Sequence, residues 1–262
     1  MKVELVDIHK HFGPVRANDG ISLTIEAGTI HGLLGENGAG KTTLMKVLSG
    51  FLAADGGRIL LDGQSPPLRT PGQAIAAGVG MLHQDPLDFP PLSLLDDLLL
   101  GRPGGLLPDR RQALRELTGL AGQLGFSLDP QATVSTLTVG ERQQLEIVRL
   151  LCLGVKVFIL DEPTTGISAT QKASLFAALR TLAGQGKTVI FVSHKLEDVQ
   201  ELCGQVTVLR QGRTAGQTSV PCSNDSLVEM MFGQVPVARP RGEVTLGAPA
   251  LEQRDTRDNK EP

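Results

Sequence analysis

The sequence predicts an α/β fold, because short apolar strands alternate along the chain with helical segments. Predicted strands at 30–34, 79–83, 155–160 and 188–192 are separated by loops or helices, an arrangement typical of parallel βαβ units. The 262 residues include 31 glycines without a collagen-like period, so the excess is expected in turns or ligand-binding loops. A chain of this length suits one large domain with a tail, or a core domain with a subdomain.

The first third of the chain is expected to open with two half-buried strands at 3–8 and 21–25, where apolar and polar residues alternate. The apolar strand at 30–34 then runs through a glycine-rich loop into a helix at 42–48. The remaining predicted elements of this part are a strand at 58–61, a helix at 71–77 and the strand at 79–83.

The middle of the chain, 85–154, is leucine-rich and carries charges at helical spacing, so we expect a helical insertion. Alternation then resumes, with the strands at 155–160, 188–192 and 206–209 and helices at 169–183, 195–203 and 225–232. Residues 233–262 hold four prolines and no aromatic residue, a composition that indicates a linker-like or disordered tail.

Charge and cysteine content exclude several classes of protein. A net charge of −3 gives no basic surface for nucleic acid, so we expect no nucleic-acid partner. Three widely spaced cysteines argue against a disulfide framework, and His9, His11 and His83 show no zinc-ligand spacing with them. The N-terminus lacks a secretory signal, and the leucine-rich stretch 92–100 is too short to span a bilayer. A membrane connection is therefore expected through a partner.

A phosphate-binding loop is the strongest chemical signal in the sequence. Its glycines allow successive backbone N–H groups to surround phosphate oxygens at the positive end of the following helix. Lys41 is expected to reach the outer phosphates and the Thr42 hydroxyl to bind Mg²⁺. A glycine-rich turn matched by chance is the alternative. The candidate nucleotide-binding residues of the loop are Gly35, Glu36, Asn37, Gly38, Ala39, Gly40, Lys41, Thr42 and Thr43.

Two adjacent carboxylates end the apolar strand at 155–160. Parallel sheets bind their ligands at the carboxyl ends of the strands, which is where Asp161 and Glu162 are expected. Asp161 would then complete the Mg²⁺ shell and Glu162 would polarise the attacking water. A solvated loop is the alternative interpretation of the pair.

Five motifs in order resemble those of the ATP-binding cassette ATPases. They are GENGAGKTT at 35–43, Gln84, LTVGE at 137–141, FILDEPTTG at 158–166 and SHK at 193–195. The resemblance covers roughly residues 2–232. The segments LTVGERQQLEI and VSHKLEDV are most similar to the sugar and nucleoside importer branch of the family.

The resemblance implies a P-loop NTPase (RecA-like) core with a mixed sheet, an antiparallel β subdomain and a helical subdomain insertion. The nucleotide-binding domain would occupy 1–232, with its core at 1–84 and 155–232 and its helical subdomain at 85–154. The tail at 233–262 would carry no chemistry. The sequence of the tail weakly resembles that of the first strand, which suggests that the tail is the remnant of a linker to a second cassette.

Further roles are implied by the resemblance alone. Phe12 would stack on adenine, Gln84 would sense Mg²⁺ and the γ-phosphate, and His194 would contact the γ-phosphate. The alternatives are an ordinary core phenylalanine, a surface glutamine and a structural histidine. The signature segment, which binds the nucleotide of the opposite subunit, would consist of Thr138, Val139, Gly140 and Glu141.

The signature departs from the family pattern, because Val139 replaces a glycine and Glu141 places a carboxylate near a polyphosphate. A plain helix N-cap at Thr138 is the alternative. The loop at 165–168 also lacks the family's usual final aspartate, so the resemblance supports communication between subunits less than it supports the other roles.

The resemblance implies an ATPase that powers transport through a separate membrane permease, with import of a sugar, nucleoside or similar small solute expected. Its cofactors would be ATP and Mg²⁺. Its partners would be permease subunits, a second cassette (another copy or a paralogue) and any solute-binding protein that serves the permease. It would lie in the cytoplasm, peripheral on the cytoplasmic face of the cell membrane. The alternatives are a soluble ABC ATPase without a transport role and a regulatory nucleotide-binding subunit.

Overall fold

The computed structural model describes residues 1–83, 89–100 and 109–233. Its strands are β1 (Val3–Phe12), β2 (Val15–Ile25), β3 (Ile30–Leu34), β4 (Gly56–Leu61), β5 (Val79–Leu82), β6 (Val157–Asp161), β7 (Thr188–Ser193), β8 (Gln205–Arg210) and β9 (Arg213–Ser219). Its helices are α1 (Lys41–Leu48), α2 (Pro71–Ala76), α3 (Leu94–Leu100), α4 (Arg110–Gln123), α5 (Val139–Cys152), α6 (Ala169–Gly184), α7 (Leu196–Leu202) and α8 (Asn224–Phe232).

A six-stranded mixed sheet forms the centre of the fold, with strand order β5-β6-β7-β3-β8-β9. Its first five strands are parallel, and β9 pairs antiparallel with β8. Every residue of β3, β6 and β7 is buried. Their nearly continuous apolar sequences follow from this, because a parallel sheet is covered on both faces. The parallel strands end at one edge, where the candidate site lies.

The two faces of this sheet belong to two apolar clusters. Phe158 and Leu160 of β6 face a cluster that includes Phe176 of α6. Val157 and Ile159 of the same strand face the other cluster, which contains α1 residues and the inner side of a three-stranded sheet. This smaller sheet, with order β2-β1-β4, is antiparallel, as the expected β subdomain requires.

The structure adds two features that the sequence pattern did not predict. Strand β2 begins at Val15, six residues before the predicted start at 21, because its first residues are exposed and carry little apolar periodicity. Strand β9 was not predicted at all. Its sequence, RTAGQTS, is polar and mostly exposed, since it lies at the edge of the sheet.

The predicted helical insertion contains α3, α4 and α5 within the described ranges. A buried ion pair between Asp97 of α3 and Arg149 of α5 joins two of these helices. Glu146 also contacts the Arg149 guanidinium, at 2.5 Å. Residues 84–88, 101–108 and 234–262 lie outside the described residues, so the expectations for Gln84 and for the tail rest on the sequence alone. No helix within the described ranges has the length and apolar character needed to cross a bilayer.

The turn between β3 and α1 is held by unusually close backbone approaches. Gly40, with φ +98°, is the N-cap of α1, and a Cβ there would lie 2.2 Å from the carbonyl oxygen of Ala17. A Cβ at Gly35 would lie 2.4 Å from the carbonyl oxygen of Leu209. Only glycine therefore fits at positions 35 and 40, because β8 on one side and β2 on the other occupy the space that a side chain would need.

Replacing Gly40 is therefore expected to disrupt the loop by steric overlap as well as by backbone strain. Gly40→Ala should lower the free energy of unfolding by about 2–5 kcal/mol, which combines left-handed strain with overpacking. Gly63→Ala is the matched control, because Gly63 has φ +78° but open space around its Cβ position. That variant should lose only about 1–2 kcal/mol. Urea denaturation measures both, and equal losses would contradict the steric argument.

His31 on β3 is a buried imidazole, with Nε2 2.9 Å from the hydroxyl of Thr207. Burial lowers the pKa of His31 to about 4, from 6.5. Between these values the unfolded chain binds a proton that the folded chain does not. The free energy of unfolding therefore falls as the pH drops through this range.

We expect His31 to contribute a loss of about 2 kcal/mol between pH 6.5 and about 4.5. His31→Gln removes the titrating group and should flatten the pH dependence by that amount. Urea denaturation of both proteins over this pH range tests the prediction. An identical pH dependence in the two proteins would show that His31 does not contribute.

Candidate functional site

The phosphate-binding loop is placed by the sheet as expected, at the carboxyl end of β3 and the start of α1. It lines a cleft of about 460 Å³. Asn18 of β2 holds the loop, since its side-chain amide donates to the carbonyl oxygen of Gly40 at 3.0 Å. The cleft contains these predicted residues: Glu36, Asn37, Gly38, Ala39, Gly40, Lys41, Thr42, Thr43 and Glu162.

Lys41 spans the loop from the first turn of α1. Its ammonium group donates to the carbonyl oxygens of Gly35, at 2.7 Å, and Glu36, at 3.0 Å. Burial lowers the pKa of Lys41, and the charges of Glu162 and Asp161 act in the opposite direction. Lys41 therefore shares its site with two carboxylates, a charge arrangement that suits a polyanion bound together with a metal ion.

Asp161 is the last residue of β6 and is 4% exposed. Among the described residues, its Oδ1 atom has no hydrogen-bond partner although it is fully buried. Burial raises the pKa of Asp161, while Thr42 and Lys41 lower it. A buried carboxylate oxygen without a protein donor, beside the Thr42 hydroxyl, offers the oxygen ligands that Mg²⁺ prefers. The residues present therefore fit this ion.

Glu162 and His194 form a pair beside the loop. Nδ1 of His194 lies 2.8 Å from Oε2 of Glu162. Glu162 has φ +52°, and its backbone N–H donates to the carbonyl oxygen of Val192 on β7. This conformation turns Glu162 toward the cleft immediately after the buried Asp161. The adjacent carboxylates of Asp161 and Glu162 therefore lie in different places, the first near Thr42 and the second beside His194.

The structure does not bring Phe12 into the cleft. Phe12 ends β1 and is 49% exposed, with the ammonium group of Lys10 5.6 Å from its ring centroid. The alternative interpretation, that Phe12 is an ordinary core residue, is therefore wrong. Adenine stacking by Phe12 stays a prediction. On this side the cleft is lined instead by Val15 and Arg16.

Several residues of the site could not be predicted from the sequence. Ala17, Gln211 and Gly212 also line the cleft, and Asn18 holds the loop from behind. Their sequence carries no recognisable motif, because they are placed by β2 and by the turn between β8 and β9. Only the glycine at 212, a residue typical of turns, gives a signal in the sequence.

Thr138 of the signature segment is the N-cap of α5, as the alternative interpretation proposed. Its hydroxyl accepts from the backbone N–H of Glu141 at 3.3 Å and donates to Oε2 of Glu141 at 2.7 Å. The Glu141 carboxylate also accepts from the Thr138 backbone N–H, at 2.8 Å. These bonds lower the pKa of Glu141, so the carboxylate stays ionised at neutral pH.

The rest of the signature segment is packed against α6. The side-chain amide of Gln171 donates to the Thr138 hydroxyl at 2.9 Å, and a Cβ at Gly140 would lie 2.8 Å from that amide carbon. Val139 is 44% exposed. Within the described residues, the cleft lining includes none of the four signature residues.

Comparison with known proteins agrees with this geometry. A protein-family model described as "ABC transporter" matches residues 18–165, which is more than half of the 262-residue chain. The fold is similar to a nucleotide-free ATP-binding cassette from an ABC transporter, with a TM-score of 0.79 and 24% identity, covering 88% of this chain and 98% of that one.

Two curated relatives are similar over most of this chain. The chain is 40% identical over 285 residues to the "Glucose import ATP-binding protein TsgD13" of Haloferax volcanii, covering 97% of this chain and 52% of that protein. It is 38% identical over 241 residues to the "Ribose import ATP-binding protein RbsA" of Chromobacterium violaceum, covering 89% and 47%. The chain spans about half the length of these relatives.

The family model and the placement of the phosphate loop beside Asp161 and Glu162 lead to the same assignment. The P-loop NTPase fold inferred from the sequence is confirmed by the cassette structures. The chain belongs to the ABC transporter family.

Proposed function

We propose that this chain binds and hydrolyses ATP to power solute transport through a separate membrane permease. The observation that carries this proposal is the meeting of Lys41, Asp161 and the Glu162–His194 pair at one edge of the sheet. Relatives named for glucose, ribose and arabinose import support a sugar or similar small solute as the cargo. Retention of Lys41, Glu162 and His194 argues against a purely regulatory subunit.

In the proposed reaction, the loop N–H groups and Lys41 bind and orient the phosphates of ATP. Thr42 and Asp161 would hold Mg²⁺, with Gln84 as the third protein ligand that the resemblance implies. When bound, Mg²⁺ neutralises phosphate charge. Glu162 accepts a proton from the water that attacks the γ-phosphorus, as the bond to the bridging oxygen breaks and ADP leaves. His194, with Nδ1 2.8 Å from Oε2 of Glu162, lies beside that carboxylate and contacts the γ-phosphate.

We propose the domain and site assignments on the same basis. The cassette occupies 1–232, with its core at 1–84 and 155–232, its helical subdomain at 85–154 and a tail at 233–262. Phe12 stacks on adenine from the end of β1. Two cassettes close head to tail, so that the signature segment of each meets the nucleotide of the other.

A permease is the proposed membrane partner, which places the chain on the cytoplasmic face of the membrane. Exposed aromatic side chains support a docking surface for this partner. Phe51 is 41% exposed and packs edge-on against His83, with ring centroids 4.4 Å apart, and Phe89 is 56% exposed. We propose no nucleic-acid partner, because the net charge is −3.

Glu162→Gln is expected to lower kcat for ATP hydrolysis by about 100-fold or more, the range for loss of a general base. ATP binding should change little, because the amide keeps the shape of the side chain. Steady-state hydrolysis and equilibrium binding of ATP separate the two effects. Glu26→Gln, at the exposed position that directly follows β2, is the matched control and should hydrolyse normally. Undiminished turnover in Glu162→Gln would refute its role.

Glu141→Gln is expected to strengthen ATP-dependent dimerisation, because the Glu141 carboxylate would repel the polyphosphate that Thr138 contacts. Removing about 1 kcal/mol of repulsion corresponds to about a fivefold tighter dimer. Analytical ultracentrifugation in the Glu162→Gln background measures this without hydrolysis. Glu141→Asp keeps the charge and should not tighten the dimer. If both substitutions act equally, the charge is not responsible.

A further inference from the structure

Two histidines and one aspartate meet on the small antiparallel sheet. His9 and His11 are two residues apart on β1, and Asp19 of β2 is the cross-strand partner of His9. Ligand atoms of the three side chains all lie within 4.8 Å of one another. The described lining of the nucleotide cleft contains none of the three. Their proximity is therefore not explained by the proposed ATPase site.

The spacing within this cluster suits direct coordination of a metal ion. Nδ1 of His9 lies 3.5 Å from Oδ1 of Asp19. Two ligands at about 2.0–2.2 Å from a tetrahedral zinc ion are separated by roughly 3.3 Å. The rings of His9 and His11 are nearly perpendicular, at 79°, with centroids 6.2 Å apart, so they do not stack face to face.

A carboxylate behind His9 fixes the orientation of its ring. Oδ1 of Asp7 lies 3.1 Å from Nε2 of His9, on the ring edge opposite Nδ1. If Nε2 carries the proton, it donates to Asp7 and the lone pair of Nδ1 faces Asp19. Metal-binding histidines usually donate their second N–H to a carboxylate or carbonyl in this way.

Asp19 is likewise held with one oxygen engaged and the other facing His9. Its Oδ2 accepts from Nη2 of Arg213 at 2.7 Å and from Nε at 3.2 Å. Arg16 approaches the same oxygen, at 3.6 Å. Both guanidinium groups therefore contact Oδ2 and leave Oδ1 for a ligand.

We propose that His9, His11 and Asp19 bind one Zn²⁺ ion, with water completing the coordination, and that Asp7 acts as a positioning residue. Two imidazoles and one carboxylate suit Zn²⁺, whereas Mg²⁺ prefers oxygen ligands alone. The site is separate from the proposed Mg²⁺ site at Thr42 and Asp161. Bound Zn²⁺ would join β1 to β2 just before the hairpin whose residues Val15 and Arg16 line the cleft.

Isothermal titration of the untagged full-length chain with Zn²⁺, in excess Mg²⁺ and without nucleotide, tests the site. We expect one Zn²⁺ per chain. His9→Gln and His11→Gln should each weaken binding about 100-fold, and Asp7→Asn about 10-fold, as for loss of a residue that orients a ligand. His83→Gln is the matched control, because His83 lies outside the cluster, and it should bind as the original chain does.

His11 is exposed, so His11→Gln should keep the fold, which circular dichroism verifies. Co²⁺ provides a second measurement, since the visible absorption of its nitrogen-ligated form should be present in the original chain and lost in His11→Gln. The proposal is overturned if the original chain binds no Zn²⁺ in one-to-one ratio. It is also overturned if His83→Gln weakens binding as much as His9→Gln and His11→Gln. Neither readout depends on ATP hydrolysis.

Discussion

The contact between the phosphate loop and the start of β2 is the constraint on which the candidate site depends. The carbonyl oxygen of Ala17 occupies the space that a Cβ at residue 40 would need, and the amide of Asn18 bonds to the Gly40 carbonyl. Leu209 of β8 restricts the loop in the same way at Gly35. The loop is thus shaped from two sides by strands distant in sequence, which fixes the start of α1 and the position of Lys41.

The parallel sheet brings charged side chains together beside this constrained loop. Because β3, β6 and β7 are adjacent and parallel, their carboxyl ends place Lys41, Asp161 and His194 at one edge. Neighbouring strands lie about 4.8 Å apart, so three strand ends span the size of a triphosphate. Burial lowers the pKa of Lys41 and raises the pKa of Asp161 at this edge, because it disfavours the charged form of each group.

The sequence alone predicts those parts of the fold whose residues follow a regular apolar pattern or a known motif. The continuous apolar strands β3, β6 and β7 and the GENGAGKTT loop were predicted because burial and backbone chemistry dictate their residue types. Strand β9 escaped prediction because an edge strand of polar residues has no required pattern. Asn18 was not predicted, because it bonds to the loop only when β2 has folded against the loop. The meeting of Asp19 with His9 likewise depends on strand register, which bulges in β1–β2 alter.

Glu162 shows how one backbone angle separates the chemistry of two neighbouring residues. In a continuing strand, Asp161 and Glu162 would point to opposite faces, and only one could reach the nucleotide. The φ of +52° at Glu162 breaks that alternation and brings it to within 2.8 Å of His194, while Asp161 stays buried near Thr42. A non-glycine residue in this conformation is strained, and the strain is offset by the N–H bond to Val192 and by the following turn at Thr165. The adjacent carboxylates are thereby held as a candidate metal ligand and a candidate base, roles that an extended strand could not give to both.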